Sequence, residues 1–173
     1  MPKALFLDRD GVINVEKDYL YKIEDFEFID GIFELCRYYQ DLGFIIVVVT
    51  NQSGIARGYY TKDDFNHLTS WMLSEFLAQG IKVKKVYYCP HHPDISGDCY
   101  CRKPKPGMLV DASNELNIDL NNSVLVGDKE RDIQAAINAG LRETYLFDES
   151  NSVANSQASK IVLNLEEIYS VNT

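Results

Sequence analysis

Short apolar runs recur along the chain, and stretches with helical spacing separate them. The runs are residues 4–7 (ALFL), 44–49 (FIIVVV), 84–88 (KKVYY), 123–126 (SVLV) and 145–147 (YLF). They do not alternate polar with apolar, so they suit strands covered on both faces, as in a parallel sheet. Ile32, Leu35, Cys36 and Tyr39 share one helical face, and Gly43 follows as a stop. Thr61, with Asp64 three residues later, has the form of a capping box and opens a second helix to about Gln79. Pro106 opens a third, to about Leu116, and a fourth carries Ile133, Ala136 and Ile137 and ends before Gly140. After Asp148 comes a polar loop, ESNSVANSQAS, then a last strand and a short helix.

Strand and helix in turn predict one α/β domain over 1–173, with a doubly wound, mostly parallel central sheet. Ligands in such folds gather beyond the carboxyl ends of the strands. No repeat or low-complexity tract interrupts the pattern.

Composition adds limits. The 173 residues are 46% hydrophobic and 25% charged, which suits a globular core. No apolar run approaches the roughly 18 residues that cross a bilayer. The start, MPKALFLDRD, lacks the features of a secretory signal, so a cytoplasmic monomer without membrane attachment is expected. The net charge of −9 argues against a nucleic acid partner. A small anion is still acceptable, because a few local cations and a metal override the global field.

Chemistry concentrates after the strands. The first runs into Asp8-Arg9-Asp10-Gly11, the second into Thr50-Asn51-Gln52-Ser53, and the fourth into Gly127-Asp128-Lys129-Glu130-Arg131-Asp132. Asp and Asn after a strand are also common turn formers and helix caps. Several acidic segments at one sheet edge repel unless a cation lies among them. An oxygen-only ligand set favours Mg²⁺, and Arg102, Lys103 and Lys129 are natural phosphate partners.

Asp8-x-Asp10-Gly11, Thr50, Lys103 and Gly127-Asp128-x-x-x-Asp132 resemble the four ordered motifs of the haloacid dehalogenase superfamily of phosphatases. The resemblance implies a Rossmann-like fold and assigns roles. Asp8 would be the nucleophile and Asp10 the general acid and base. Thr50 and Lys103 would steady the transferring phosphoryl group. Mg²⁺ would be held by Asp8, the backbone carbonyl of Asp10, and Asp128, with Asp132 orienting that shell. Lys105 is the rival for the lysine role; the superfamily pattern of lysine then proline favours Lys103.

The stretch CPHHPDISGDCYCRKPKPG holds most of the cysteines and histidines. Cys89 and His91, and Cys99 and Cys101, are pairs at i, i+2, which share a side in extended chain. Together they suit a closed Cys₃His zinc site. His92 points the other way on this reading. The alternative is a loop of reduced thiols. Zinc would pin an irregular loop of about 17 residues and so aim Arg102 and Lys103. Cys36, on an apolar helical face, reads as core.

With this loop (89–101) included, DRDGVIN, TNQSGIARG, CPHHP, CRKPKPGM and GDKERDIQAA resemble the D-glycero-D-manno-heptose 1,7-bisphosphate phosphatases. That family implies a minimal cap, catalytic Mg²⁺, structural Zn²⁺ and a phosphorylated sugar from the heptose supply of lipopolysaccharide. It also implies substrate contacts from Glu16, Lys17, Asp18, Tyr19, Thr50, Asn51, Gln52, Ser53, Arg102, Lys103 and Lys129. Arg57 is a further candidate cation for a remote phosphate. Val12 stands where Thr is commoner, and Asp18 where Gly is usual. Histidinol-phosphate phosphatase is the sister reading, and a non-catalytic zinc-pinned interaction module the remote one.

Overall fold

The computed structural model describes residues 1–170; residues 171–173 of the expected domain lie outside them. Six strands form one sheet: β1 (Ala4–Leu7), β2 (Ile45–Asn51), β3 (Val83–Cys89), β4 (Val124–Gly127), β5 (Glu143–Phe147) and β6 (Lys160–Val162). Their order is β3-β2-β1-β4-β5-β6, and each pairing is parallel. The helices are α1 (Ile32–Asp41), α2 (Lys62–Ala78), α3 (Pro93–Ser96), α4 (Gly107–Leu116), α5 (Glu130–Ala139) and α6 (Glu166–Tyr169). Strand order reverses between β1 and β4, so a crevice opens where those two strands end.

Alternate residues of each strand go to opposite faces. Leu5, Leu7, Ile46, Val48, Val124 and Val126 meet the helices α1, α2 and α6 in one core layer. Ala4, Phe6, Val47, Val49, Leu125 and Leu146 meet α4 and α5 in the other. The central strands β1, β2 and β4 are apolar on both faces along most of their length, which is why they read as unbroken runs.

Local signals hold the helices in place. Thr61 Oγ1 accepts from Asp64 N at 3.0 Å, and Asp64 Oδ2 accepts from Thr61 N at 2.9 Å, closing the capping box. Gly140 ends α5 with φ of 99°, a conformation glycine adopts without a side-chain penalty.

Three expectations change. Thr50 and Asn51 belong to β2 itself, so their side chains are fixed by the sheet. The cysteine loop is not wholly irregular: α3 forms inside it, with Pro93 at its start and His92 Nδ1 accepting from Asp94 N at 3.2 Å. Ile137 is exposed, because α5 turns Asp132, Ile133, Ala135 and Ala136 inward and leaves Ile137 at the edge of that face.

Phe76 joins the aromatic layer, with its ring 5.7 Å from Phe28 and 5.4 Å from Phe33. Phe76→Ala is expected to lower unfolding free energy by about 3–5 kcal/mol in urea denaturation. A loss under about 1 kcal/mol would contradict this packing.

Candidate active site

The crevice gathers side chains from β1, β2, β4, α5 and the segment after the cysteines. Asp8, just past β1, is buried. Its Oδ1 accepts from Arg9 N at 2.8 Å and lies 3.2 Å from Lys103 Nζ. The same ammonium lies 2.7 Å from Asp132 Oδ1 and donates to Val49 O at 3.0 Å. The ammonium is thus held by one carbonyl and two carboxylates. Asn51 holds the lysine from behind: its Oδ1 accepts from Lys103 N at 3.1 Å and its Nδ2 donates to Lys103 O at 3.4 Å. Lys105 lies elsewhere, exposed and donating to Cys99 O.

Asp132 does structural duty at the start of α5. Its Oδ2 accepts from Asp128 N at 3.2 Å and Lys129 N at 3.0 Å, the N-cap residue of α5 and the residue before it. Close packing brings these carboxylates together. A Cβ on Gly11 would stand 2.0 Å from Asp128 Oδ2, and one on Gly127 would stand 2.4 Å from Asp132 Cβ.

Charge crowding shows in the proton affinities. Burial first, then the Asp132 carboxylate, raises Asp8 well above the usual carboxylate range, with Lys103 opposing. Burial and Asp132 push Asp128 up to about 6. Burial alone would lower Lys103, but Asp132 and Asp8 outweigh it and hold the ammonium high.

A divalent cation fits this crowding. Asp8, Asp128 and Asp132 offer carboxylate oxygens within 4.8 Å of one another. Neither Asp132 Oδ1 nor Asp128 Oδ1 has a hydrogen-bond partner among the described residues, but Asp132 Oδ1 is ion-paired to Lys103 whereas Asp128 has no ion pair there. Asp8 and Asp128 are therefore the pair able to hold an ion.

Asp10 is oriented by a separate set of donors. Its Oδ1 accepts from Arg9 Nη2 and Asn14 Nδ2, both at 3.0 Å. Its Oδ2 accepts from Gln52 Nε2 at 3.0 Å, and that amide also donates to Thr50 Oγ1 at 2.9 Å. Gln52 Oε1 takes a bond from the buried Tyr60 hydroxyl, which fixes the amide's orientation. Sequence reasoning missed Arg9, Asn14 and Tyr60. Only Arg9, a cation between two aspartates, carried any local signal.

Outside the carboxylates lies a cavity of about 380 Å³. Its lining includes Glu16, Asp18, Tyr19, Ser53, Arg57 and Arg102, together with Lys129. Asp18 and Tyr19 take φ of 35° and 58°, a region costly for side-chain-bearing residues, so glycine would be the easier occupant at Asp18. Lys17 does not line this cavity; it is exposed and donates to Asp25 O at 2.8 Å. Arg57 is 2.9 Å from His92 Nε2, and Arg102 donates to His91 O at 3.2 Å. Across Glu16 and Lys129, a second cavity of about 520 Å³ carries Glu130, Asp148 and Glu149 and is strongly acidic.

The cysteine cluster sits behind Arg102 and Lys103. Cys89 Sγ lies 3.6 Å from both Cys99 Sγ and His91 Nδ1, and His91 Nδ1 lies 3.3 Å from Cys101 Sγ. A tetrahedral zinc with bonds of about 2.3 Å sets ligand edges of roughly 3.5–3.8 Å. Cys101 and Cys89, at 2.7 Å, are closer than that. All the cysteines are free thiols. Burial opposes ionisation of Cys99, yet the N–H groups of Arg102 and Cys101 bring it down to about 7. Burial pushes Cys101 up. A shared cation would let all of these thiols ionise together.

A parallel sheet with acidic residues at the β1 and β4 ends, and a buried lysine between them, defines a haloacid dehalogenase-like phosphatase. The HAD-hydrolase-like family model matches residues 100–160. The chain is a phosphoric monoester hydrolase of this superfamily. It is 55% identical over 147 residues to a D-glycero-alpha-D-manno-heptose-1,7-bisphosphate 7-phosphatase of Campylobacter jejuni, covering 85% of this chain and 83% of that one. It is 50% identical over 143 residues to a D-glycero-beta-D-manno-heptose-1,7-bisphosphate 7-phosphatase of Yersinia pestis, covering 80% and 76%. A crystal structure of D,D-heptose 1,7-bisphosphate phosphatase from B. bronchiseptica, complexed with magnesium and phosphate, superimposes with a TM-score of 0.85. That match has 30% identity and covers 97% and 96% of the two chains. The chain belongs to the heptose 1,7-bisphosphate 7-phosphatase family.

The lysine geometry generates a prediction. Lys103→Met leaves Asp8 and Asp132 buried without their cation. Measured in EDTA, it is expected to cost about 3–5 kcal/mol of stability. With Mg²⁺, phosphate release is expected to fall by about 10² or more. Lys105→Met should change stability by no more than about 0.5 kcal/mol. Equal effects of the two substitutions would overturn the assignment.

Proposed function

We propose that the chain removes the C7 phosphate of D-glycero-D-manno-heptose 1,7-bisphosphate and leaves the 1-phosphate. The observation that carries this reading is a cavity beside the carboxylates where Arg57, Arg102, Lys129 and Arg131 gather opposite Asp10, Glu16 and Asp18, in a chain of net charge −9. One anion would sit against Asp8, and the other in the cavity with Arg57, Arg102 and Lys129. The acidic cavity on the opposite side would repel it. The names of the Campylobacter and Yersinia relatives support the same substrate class.

Asp8 Oδ1 is engaged by Arg9 N and Lys103, so Oδ2 is the attacking atom. It forms a bond to phosphorus while the bond from phosphorus to the C7 oxygen breaks, giving an aspartyl phosphate. Asp10 donates a proton to the departing oxygen. It then takes a proton from the water that attacks the aspartyl phosphate, which frees phosphate and restores Asp8. Thr50 and Lys103 steady the transferring group. A Mg²⁺ held by Asp8, the Asp10 carbonyl and Asp128 would neutralise charge on the phosphoryl oxygens.

Zn²⁺ on Cys89, His91, Cys99 and Cys101 would be structural, in a closed site. Remote binding energy from the second phosphate would orient the reacting one. The chain would act as a single-domain monomer in the cytoplasm. Among the described residues, no helix is long and apolar enough to cross a membrane.

Asp8→Asn should abolish phosphate release, since an amide cannot serve as the nucleophile, and Asp10→Asn should lower it by about 10² or more. Wild type should show a higher kcat/KM for the heptose bisphosphate than for histidinol phosphate, whose ammonium approaches the cations. A preference for histidinol phosphate would refute the substrate assignment.

The metals should separate by chemistry. Mild EDTA should stop turnover and added Mg²⁺ restore it, while elemental analysis still finds about one zinc per chain. Cys99→Ala should lose zinc and lower activity. Full activity in a zinc-free protein would show that the loop needs no pin.

A further inference from the structure

Arg131 lies in the first turn of α5, where the motif pattern assigns no role to this position. Its side chain lines the 380 Å³ cavity beside Arg57 and Arg102. It also lines the narrow chamber formed by Asp8, Asp10, Asn51 and Asp128. Arg57 and Arg102 line only the outer cavity of these two, whereas Lys129 and Arg131 are the cations that line both, and Arg131 alone of that pair carries a planar fork. Arg131 therefore stands on the passage between the reacting centre and the outer cations.

Arg131 is exposed, at a helix end that favours an anion as its neighbour. The positive end of a helix dipole disfavours cations, and here Arg131 lies two residues after the Lys129 cap, in the first turn of the helix. Glu130, the acid beside it, is turned away, accepting from Ser156 Oγ at 2.6 Å and Gln157 N at 2.8 Å. Among the described residues, Arg131 has no hydrogen-bond or ion-pair partner of its own. By contrast, Arg57 and Arg102 are each held by a neighbour. A free planar guanidinium with two donor edges is suited to bidentate phosphate binding.

We propose that Arg131 is a specificity-determining residue that grips the non-reacting phosphate of the substrate from the α5 side, with Arg102 supplying the grip from the cysteine loop. This rests on the bisphosphate reading above and adds the residue that would couple the remote anion to the reacting chamber. The ligand chemistry is a sugar phosphate whose anion lies one sugar away from the scissile bond.

The test compares wild type, Arg131→Gln, Arg131→Lys and, as a charge control, Arg142→Gln. Arg142 lies just before β5, at the amino end of the sheet. For Arg131→Gln, kcat/KM on the heptose bisphosphate should fall about tenfold or more, chiefly through KM. Turnover of mannose 6-phosphate, which has no remote anion, should stay within about twofold. Arg131→Lys should fall between wild type and Arg131→Gln, and Arg142→Gln should match wild type. Equal losses on both substrates, or no loss on either, would overturn the inference.

A second measurement does not depend on which substrate the wild type prefers. Mannose 1-phosphate should inhibit hydrolysis of an aryl phosphate, and Arg131→Gln should raise its inhibition constant about tenfold. An unchanged constant refutes the role of Arg131. A wild type indifferent to the bisphosphate refutes the substrate reading instead.

Discussion

Three carboxylates share one small volume beyond β1 and β4, and the rest of the site follows from how their charge is balanced. Asp8, Asp128 and Asp132 approach within 4.8 Å of one another, with Asp8 and Asp132 buried and Asp128 half-buried. At that separation like charges cost several kcal/mol at an effective dielectric of about 20. Lys103 meets part of that cost by touching Asp8 and Asp132 at once. Asp128 Oδ1 still lacks a partner, so a second cation completes the balance. The packing keeps Asp8 buried and draws the Lys103 ammonium against it.

The cysteine loop enters this balance through chain connectivity. Cys101 precedes Arg102 and Lys103 directly, and Asn51 clamps the lysine's peptide from β2. The lysine is therefore gripped from the sheet, while the thiol cluster packs into the α4–α5 core layer through Cys89 and Cys101. His91 links the two functions: its ring faces the thiols and its carbonyl accepts from Arg102. A change in the cluster would move the cations before it moved the carboxylates.

Much of this was legible in the chain, for physical reasons. Strands buried on both faces leave continuous apolar runs, so the sheet could be read, and acidic residues directly after them marked the crevice. The i, i+2 cysteines likewise announced a cluster. What could not be read were partners distant in sequence. Tyr60 and Gln52 meet through a loop turn beside Gly54, where a Cβ would strike the Tyr60 ring at 2.2 Å. Arg9 is buried on the Leu20 carbonyl, which no local pattern signals. Lys17, expected at the substrate by motif likeness, donates to Asp25 O in this structure. Motif position identifies the segment, while Asp18 and Tyr19, the two of its residues with positive φ, line the cavity.

The central claim is that Asp8, with Lys103 and a cation on Asp128, forms the phosphoryl-accepting centre. A crystal structure grown with Mg²⁺ and fluoroberyllate, which imitates a phosphoryl group on a carboxylate, tests it directly. The account predicts beryllium bonded to Asp8 Oδ2, Mg²⁺ between Asp8 and Asp128, and Lys103 Nζ within hydrogen-bond distance of a fluoride. Fluoroberyllate on another residue, or Mg²⁺ bound away from Asp128, would contradict it.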